Sequence, residues 1–209
     1  MNEYKGSLDA SGKRIAIVAA RFNETYVKNL VDGAVDCLGR LGADEEDVDI
    51  FWVPGSFEIP FAARAAAGSG DYDAVIGLGV IIRGATVHFD LIAREAASGI
   101  AAVGRDTGIP AVFGVVTAET LEQAAERCGS KMGNRGWEAA QSAVEMVNLG
   151  QAFRGREEAE ALIGEETGAA TGAETGAESR PGAAPDANES AAPRGAGKKA
   201  GDGGRTPRV

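Results

Sequence analysis

Apolar positions in residues 13–153 follow two alternating rhythms. Residues 14–20, RIAIVAA, form a short apolar run with β-branched side chains, as a strand buried on both faces should. Val27, Leu30, Val31, Ala34, Val35, Leu38 and Leu41 then recur at spacings of three and four, the stripe of an amphipathic helix. Gly42 stands where that helix should stop. Residues 48–53 predict a second strand, broken by Pro54-Gly55. Ser56 suits the N-cap of the next helix, with Glu58 in its first turn and Pro60 near enough to the start to be tolerated. Residues 74–82 predict a third, fully apolar strand. Phe89, Ile92, Ala93, Ala96, Ala97, Ile100 and Val103 mark a second long helix. A fourth strand over 111–116 and helices over 119–127 and 135–152 complete the pattern.

Strands that are apolar on both faces and alternate with helices imply a parallel sheet covered on both sides. The expected fold class is therefore α/β, a three-layer αβα sandwich around a four-stranded parallel sheet. In such sheets ligands gather beyond the carboxyl ends of the strands. The segments that follow each strand are thus the places to look for chemistry.

Composition adds a boundary. Residues 154–209 hold eleven Gly, four of the seven Pro and thirteen Ala, and their only bulky apolar residues are Leu162, Ile163 and Val209. Such a segment cannot bury enough surface to offset its ordering entropy, so a disordered low-complexity tail is expected there. Its charge is split, strongly acidic over 157–189 and basic over 194–208. The chain then divides into an N-terminal extension 1–12, a folded domain 13–153 and the tail 154–209. The net charge of −10 and an isoelectric point near 4.7 argue against a nucleic-acid binder. The longest apolar run, nine residues over 74–82, falls short of the ~20 needed to span a membrane. Two cysteines, Cys37 and Cys128, exclude a disulfide framework and a cysteine-rich zinc site. With no secretory h-region at the start, a cytoplasmic protein is expected.

The strand ends carry the candidate chemistry. The first strand is followed by Arg21-Phe22-Asn23 and the second by Pro54-Gly55-Ser56-Phe57-Glu58. The third is followed by Arg83-Gly84-Ala85-Thr86-Val87-His88, and the fourth carries Phe113 inside it. Gly84, Ala85 and Thr86 are small and lead into a helix. Small residues let a ligand reach the free N–H groups of the helix start, where an anion is favoured. That suggests a phosphate cradle, although neither a P-loop nor a dinucleotide glycine pattern is present. His88, the sole histidine, falls in the first turn beside the cradle, where an imidazole can carry protons near neutral pH. A zinc site is not expected, because no second histidine exists. Phe22 and Phe113 can offer faces to a flat ring. Arg127, Lys131 and Arg135 place three cations in a glycine-punctuated link between helices, suited to a phosphate or simply to solvent. Taken alone, these residues describe a binder of a phosphorylated, partly planar ligand and name no reaction.

The same segments resemble the lumazine synthase family of riboflavin biosynthesis. The matching blocks are Arg21-Phe22-Asn23, VPGSFEIP over 53–60, Leu78-Gly79 and IRGATVHF over 82–89. Phe113-Gly114-Val115, the stretch from Arg127 to Gly136, and AVEM over 143–146 complete them. Together they cover roughly 13–153 in order and say nothing of 154–209. The resemblance implies a flavodoxin-like fold and a transferase. It would join 5-amino-6-(D-ribitylamino)uracil to 3,4-dihydroxy-2-butanone 4-phosphate, giving 6,7-dimethyl-8-ribityllumazine, phosphate and water, with no metal or organic cofactor. It also implies a site between adjacent subunits of a pentamer. Phe22 would stack on the pyrimidine; Ser56, Phe57 and Glu58 would line the ribityl-aminouracil pocket; backbone at Val80, Ile81 and Ile82 would contact the ring. Ala85 and Thr86 would hold the phosphate and His88 would move protons. Phe113 and Arg127 would come from the neighbouring subunit, and Arg135 keeps the charge of the Lys usual there. Ser56 stands where Ala is common, and Val80 and Val87 also depart from the family pattern. The short link 129–134 resembles that of members forming sixty-subunit shells, and riboflavin synthase is the partner protein such a shell suggests. The competing readings are a lumazine- or flavin-binding carrier without turnover, a structural cage, and a riboflavin synthase of the same fold.

Overall fold

In the computed structural model of the chain, residues 1–171 are described, with side-chain surroundings through 155. Met1–Glu166 forms one compact unit. Its sheet contains β1 (Ile15–Ala20), β2 (Val48–Val53), β3 (Ala74–Ile82) and β4 (Ala111–Ala118), all parallel and in the order β2-β1-β3-β4. The helices are α1 (Glu24–Arg40), α2 (Ile59–Ser69), α3 (His88–Thr107), α4 (Leu121–Arg127) and α5 (Arg135–Thr171), with a 3₁₀ turn at Glu45–Asp47. Every residue of β1 is buried, and all but the last of β3, as their uninterrupted apolar runs demand.

Two apolar layers flank the sheet. On one face Ile15, Ile17, Ile76 and Leu78 pack with Leu30 and Leu38 of α1 and with Ala140 and Val144 of α5. On the other, Val18 and Val75 pack with Ile59 and Ala63 of α2 and with Ile100 and Val103 of α3. The three-layer α/β sandwich expected from the pattern is therefore the fold. Close approach is achieved through glycine: a Cβ at Gly77 would sit 2.6 Å from Ile100 Cδ1, so α3 lies directly on β3. No helix among the described residues is long and apolar enough to cross a membrane.

Two expectations need correction. Ser56 does not cap α2. A turn closed by Glu58 N–H donating to the Gly55 carbonyl (3.2 Å) intervenes, and the helix begins at Ile59 with Glu58 in the cap position. The chain can start there cheaply, because Pro60 in the first turn has no N–H to satisfy. The fourth helix is capped instead by Thr120, whose Oγ1 accepts from Gln123 N–H at 3.3 Å. The disordered tail expected from residue 154 begins as helix: α5 continues to Thr171. Residues 154–166 are mostly Arg, Glu, Ala and Leu without proline, and extending an existing helix requires no new nucleus. The remainder of the tail expected over 154–209 lies outside the described residues.

Candidate active site

The strand order places a topological switch point between β1 and β3. From its carboxyl end β1 leads to α1 on one face, while β3 leads to α3 on the other. Pairing with β1 ends at Leu78, whereas β3 runs on beside β4 to Ile82. Residues 80–82 thus present a strand edge to the gap. Asn23 bridges it: its Nδ2 donates to the Val80 carbonyl at 2.8 Å. It does so from a left-handed conformation (φ 62°, ψ 39°), the one non-glycine case among the described residues. Asparagine tolerates that region better than most residues. Because N–H and C=O groups alternate along a strand, Ile82 turns its pair to the same side as Val80, and Ile81 turns its pair to β4.

A cleft of about 760 Å³ opens at this point. Phe22, Ser56, Phe57, Glu58, Val80, Ile81, Ile82, Thr86 and His88 all line it, together with Gly84 and Leu91. Nine of the expected site residues are thus brought together from four separate segments. Ser56 is buried, and its Oγ lies over Gly79, where a Cβ would approach within 2.5 Å. Phe22 and Phe57 are exposed aromatic rings on the cleft wall. Ala85 is not part of the lining; it is exposed between Gly84 and Thr86, which are.

Residues 84–87 lead directly into the start of α3. The N-terminus of α3 carries no side-chain cap, since Val87 occupies that position. The His88 N–H finds only a long contact to Thr86 Oγ1, 3.4 Å. Asp90 N–H donates to the Val87 carbonyl at 3.2 Å, which leaves the N–H groups of His88 and Phe89 as the open donors of the first turn. The lining holds only two ionisable side chains, Glu58 and His88, and no Lys or Arg. Arg83 lies at the rim, but its guanidinium is spent on Asp90 (2.8 Å) and Glu119 (2.7 Å). Its hydrogen bonds hold the Asp90 carboxyl below the usual carboxylate range.

Three expected residues lie elsewhere in the chain. Phe113 sits in mid-strand opposite Gly77, short of the carboxyl edge. Arg135 Nη2 reaches the Phe113 carbonyl at 3.4 Å while Nη1 pairs with Glu138 at 3.0 Å. Arg127 ends α4, exposed and without an ion pair among the described residues. Asn134 Oδ1 accepts from Gly136 and Trp137 N–H groups (2.8 and 3.2 Å), and its Nδ2 donates to the Asn29 carbonyl, fixing this corner to α1. The sequence names Asn23 and Arg83 without assigning them work; Asn23 carried a signal, a polar residue at a strand-to-helix corner, whereas Glu119 meets Arg83 from thirty-six residues away and only the fold brings them together. Among the described residues no three His, Cys, Asp or Glu side chains gather as a metal site requires.

Fold and cleft define a doubly wound α/β protein with an open cleft at its switch point, where such folds place their ligands. The family model of 6,7-dimethyl-8-ribityllumazine synthase matches residues 12–151. The 6,7-dimethyl-8-ribityllumazine synthase of Chlorobium phaeobacteroides (strain DSM 266 / SMG 266 / 2430) is 54% identical over 153 residues, covering 73% of this chain and 99% of that protein. That of Chlorobium chlorochromatii (strain CaD3) is 55% identical over 149 residues, covering 71% and 96%. The chain belongs to the 6,7-dimethyl-8-ribityllumazine synthase family, enzymes of riboflavin biosynthesis.

Proposed function

We propose that this chain condenses 5-amino-6-(D-ribitylamino)uracil with 3,4-dihydroxy-2-butanone 4-phosphate to 6,7-dimethyl-8-ribityllumazine, with release of phosphate and water. The observation that carries the reading is the union, in one cleft, of an aromatic wall at Phe22, the end of β3 at residues 80–82 beyond its pairing with β1, and an uncapped helix end bearing His88. Phe22 stacks on the pyrimidine, whose polar edge meets the β3 backbone. Ser56, Phe57 and Glu58 take the ribityl chain, with the Glu58 carboxylate accepting from its hydroxyls. The phosphate sits on the N–H groups at Ala85 and Thr86.

The chemistry asks little of the protein. The amine attacks the ketone, water leaves as the imine forms, phosphate is eliminated, and the ring closes with loss of water. Each step transfers a proton or expels an anion, which a single imidazole beside an anion cradle can serve. Both reactants are intrinsically reactive, so holding them in contact supplies much of the acceleration. Metal and organic cofactors have no step to perform.

The absence of a cation from the cleft lining supports a site completed by a second copy. Arg127, exposed and unpaired, is the phosphate's counter-ion from the neighbour, with Phe113 and Arg135 beside it. The exposed apolar side chains of Phe22, Phe57, Phe61, Val87 and Leu91 support the same conclusion, since a monomer rarely leaves so many uncovered. The assembly is a homo-oligomer of pentamers, built into a sixty-subunit shell through the short 129–134 link. The reaction is tested by mixing the purified chain with both substrates and following lumazine fluorescence; no product over the uncatalysed background refutes it. Light scattering after size exclusion tests the assembly, and a mass of five chains refutes the shell.

A further inference from the structure

Residues 84–88 are all exposed, and a Cβ at Gly84 would meet nothing within 4 Å. Packing therefore does not fix the stretch that leads into the uncapped end of α3. Its flanks are fixed instead. Arg83 N–H donates to the Ala118 carbonyl at 2.9 Å, tying the end of β3 to the end of β4. The Arg83 guanidinium then reaches across the loop. Nη1 and Nη2 donate to the two Asp90 carboxylate oxygens at 2.9 and 2.8 Å, a bidentate pair with the first turn of α3. Nε donates to Glu119, just past β4, at 2.9 Å, and the guanidinium carbon lies 4.0 Å from the centre of the Phe89 ring. One side chain thus joins the exits of β3 and β4 to α3, with all three of its nitrogens engaged. Two carboxylates neutralise it, so it has no charge to spare for a ligand.

We propose that Arg83 is a positioning residue that, with Asp90 and Glu119, holds residues 84–87 in the conformation that receives the phosphate ester. This rests on the reading above that the α3 end takes the phosphate. Single exposed ion pairs contribute little to folding, but a bidentate Arg within a network fixes geometry. The clamp therefore acts on binding of one substrate more than on stability. An ordered loop spares the ester the cost of ordering it.

The test is steady-state kinetics of Arg83→Met, Arg83→Lys and Asp90→Asn with each substrate varied in turn, beside Arg127→Ala and the parent chain. Arg83→Met is expected to raise KM for the butanone phosphate about ten-fold and KM for the aminouracil less than about two-fold, with a nearly unchanged melting transition. Arg83→Lys, which keeps the charge and loses the bidentate fork, recovers part of that loss. Asp90→Asn repeats the effect in weaker form and serves in its place should Arg83→Met not fold. Equal rises in both KM values, no rise in either, or a fall in kcat alone overturns the clamp. If Arg127→Ala raises KM for the ester and the Arg83 and Asp90 variants do not, the phosphate reading stands and the clamp falls. If none of them does, or the parent makes no lumazine, both fall.

Discussion

Gly79 offers a sharp test of how the cleft wall is built. An ideal Cβ there lies 2.5 Å from Ser56 Oγ, 3.2 Å from Ile59 Cδ1 and 3.5 Å from Ser56 Cβ. The first distance is far inside van der Waals contact, and β3 is held here by its pairing with β4, which runs on to Ile82, so it is Ser56 that must give way. Ser56 is buried, and the fully buried Ile59 packs against the same position, which leaves little room. Overpacking of this kind costs about 1–3 kcal/mol. The offending atom is a single hydroxyl oxygen. Removing it by Ser56→Ala leaves Cβ at an ordinary contact distance and costs about 0.5–1.5 kcal/mol if the hydroxyl is hydrogen-bonded, less if it is solvated. Gly79→Ala should then be destabilising alone and largely rescued in the Gly79→Ala/Ser56→Ala double variant, with a coupling of about 1–2 kcal/mol. Only the contact with the flexible tip of Ile59 persists. The assay is urea denaturation of the four proteins at one protein concentration, with KM for the aminouracil as a second readout. Additivity of the two costs within about 0.5 kcal/mol would refute the packing argument.

Arg127→Ala should lower kcat/KM by about 10²–10⁴-fold, because a phosphate taken out of water loses its charge partner at about 3–5 kcal/mol; an unchanged value ends the counter-ion assignment. His88→Ala should slow turnover about 10²-fold without abolishing it, since proximity and the cradle remain; complete loss of lumazine formation would contradict that division of labour. Unfolding these two variants together and refolding them as mixed rings should restore about a quarter of parental activity, as one interface in four pairs an intact His88 with an intact Arg127. No recovery would place both groups on one chain. Burial pushes the Cys128 thiol from 9.0 up to about 11, so its contribution to stability is intact below pH 9 and is lost as pH rises through 11. Cys128→Ala should remove up to about 2–3 kcal/mol of that alkaline slope in denaturation measurements, and an unaltered slope would show the thiol is not the cause.

The fold was legible because burial in a parallel sheet leaves little choice of residue. The runs 14–20 and 74–82 became β1 and β3 within a residue, and the three-and-four spacing before Gly42 became α1. What was misread turned on local contests that spacing does not weigh. Ser56 resembles a cap by residue type, yet its place over Gly79 draws it into the wall, and the turn 55–58 delays α2 to Ile59. Low apolar content after Phe153 predicts that nothing packs there, but packing is not needed to prolong a helix whose first turns are already docked.

The site was legible for a different reason, and only in part. Phe22, Ser56, Val80 and His88 are far apart in sequence, and the rule that parallel strands deliver their loops to one edge is enough to gather them. That rule stops at the limits of one chain. It accounts for nine residues of the cleft and puts Phe113, Arg127 and Arg135 outside it, leaving the proposed phosphate cradle with no cation of its own. A dianion leaving such a cradle would meet a carboxylate at Glu58 and no compensating charge but the helix end, worth only about half a unit. Arg83 does not close the gap, because Asp90 and Glu119 hold it. Under the proposed reaction the charge comes from another copy, so the incompleteness of the single chain is the strongest support for the proposal that catalysis belongs to the assembly.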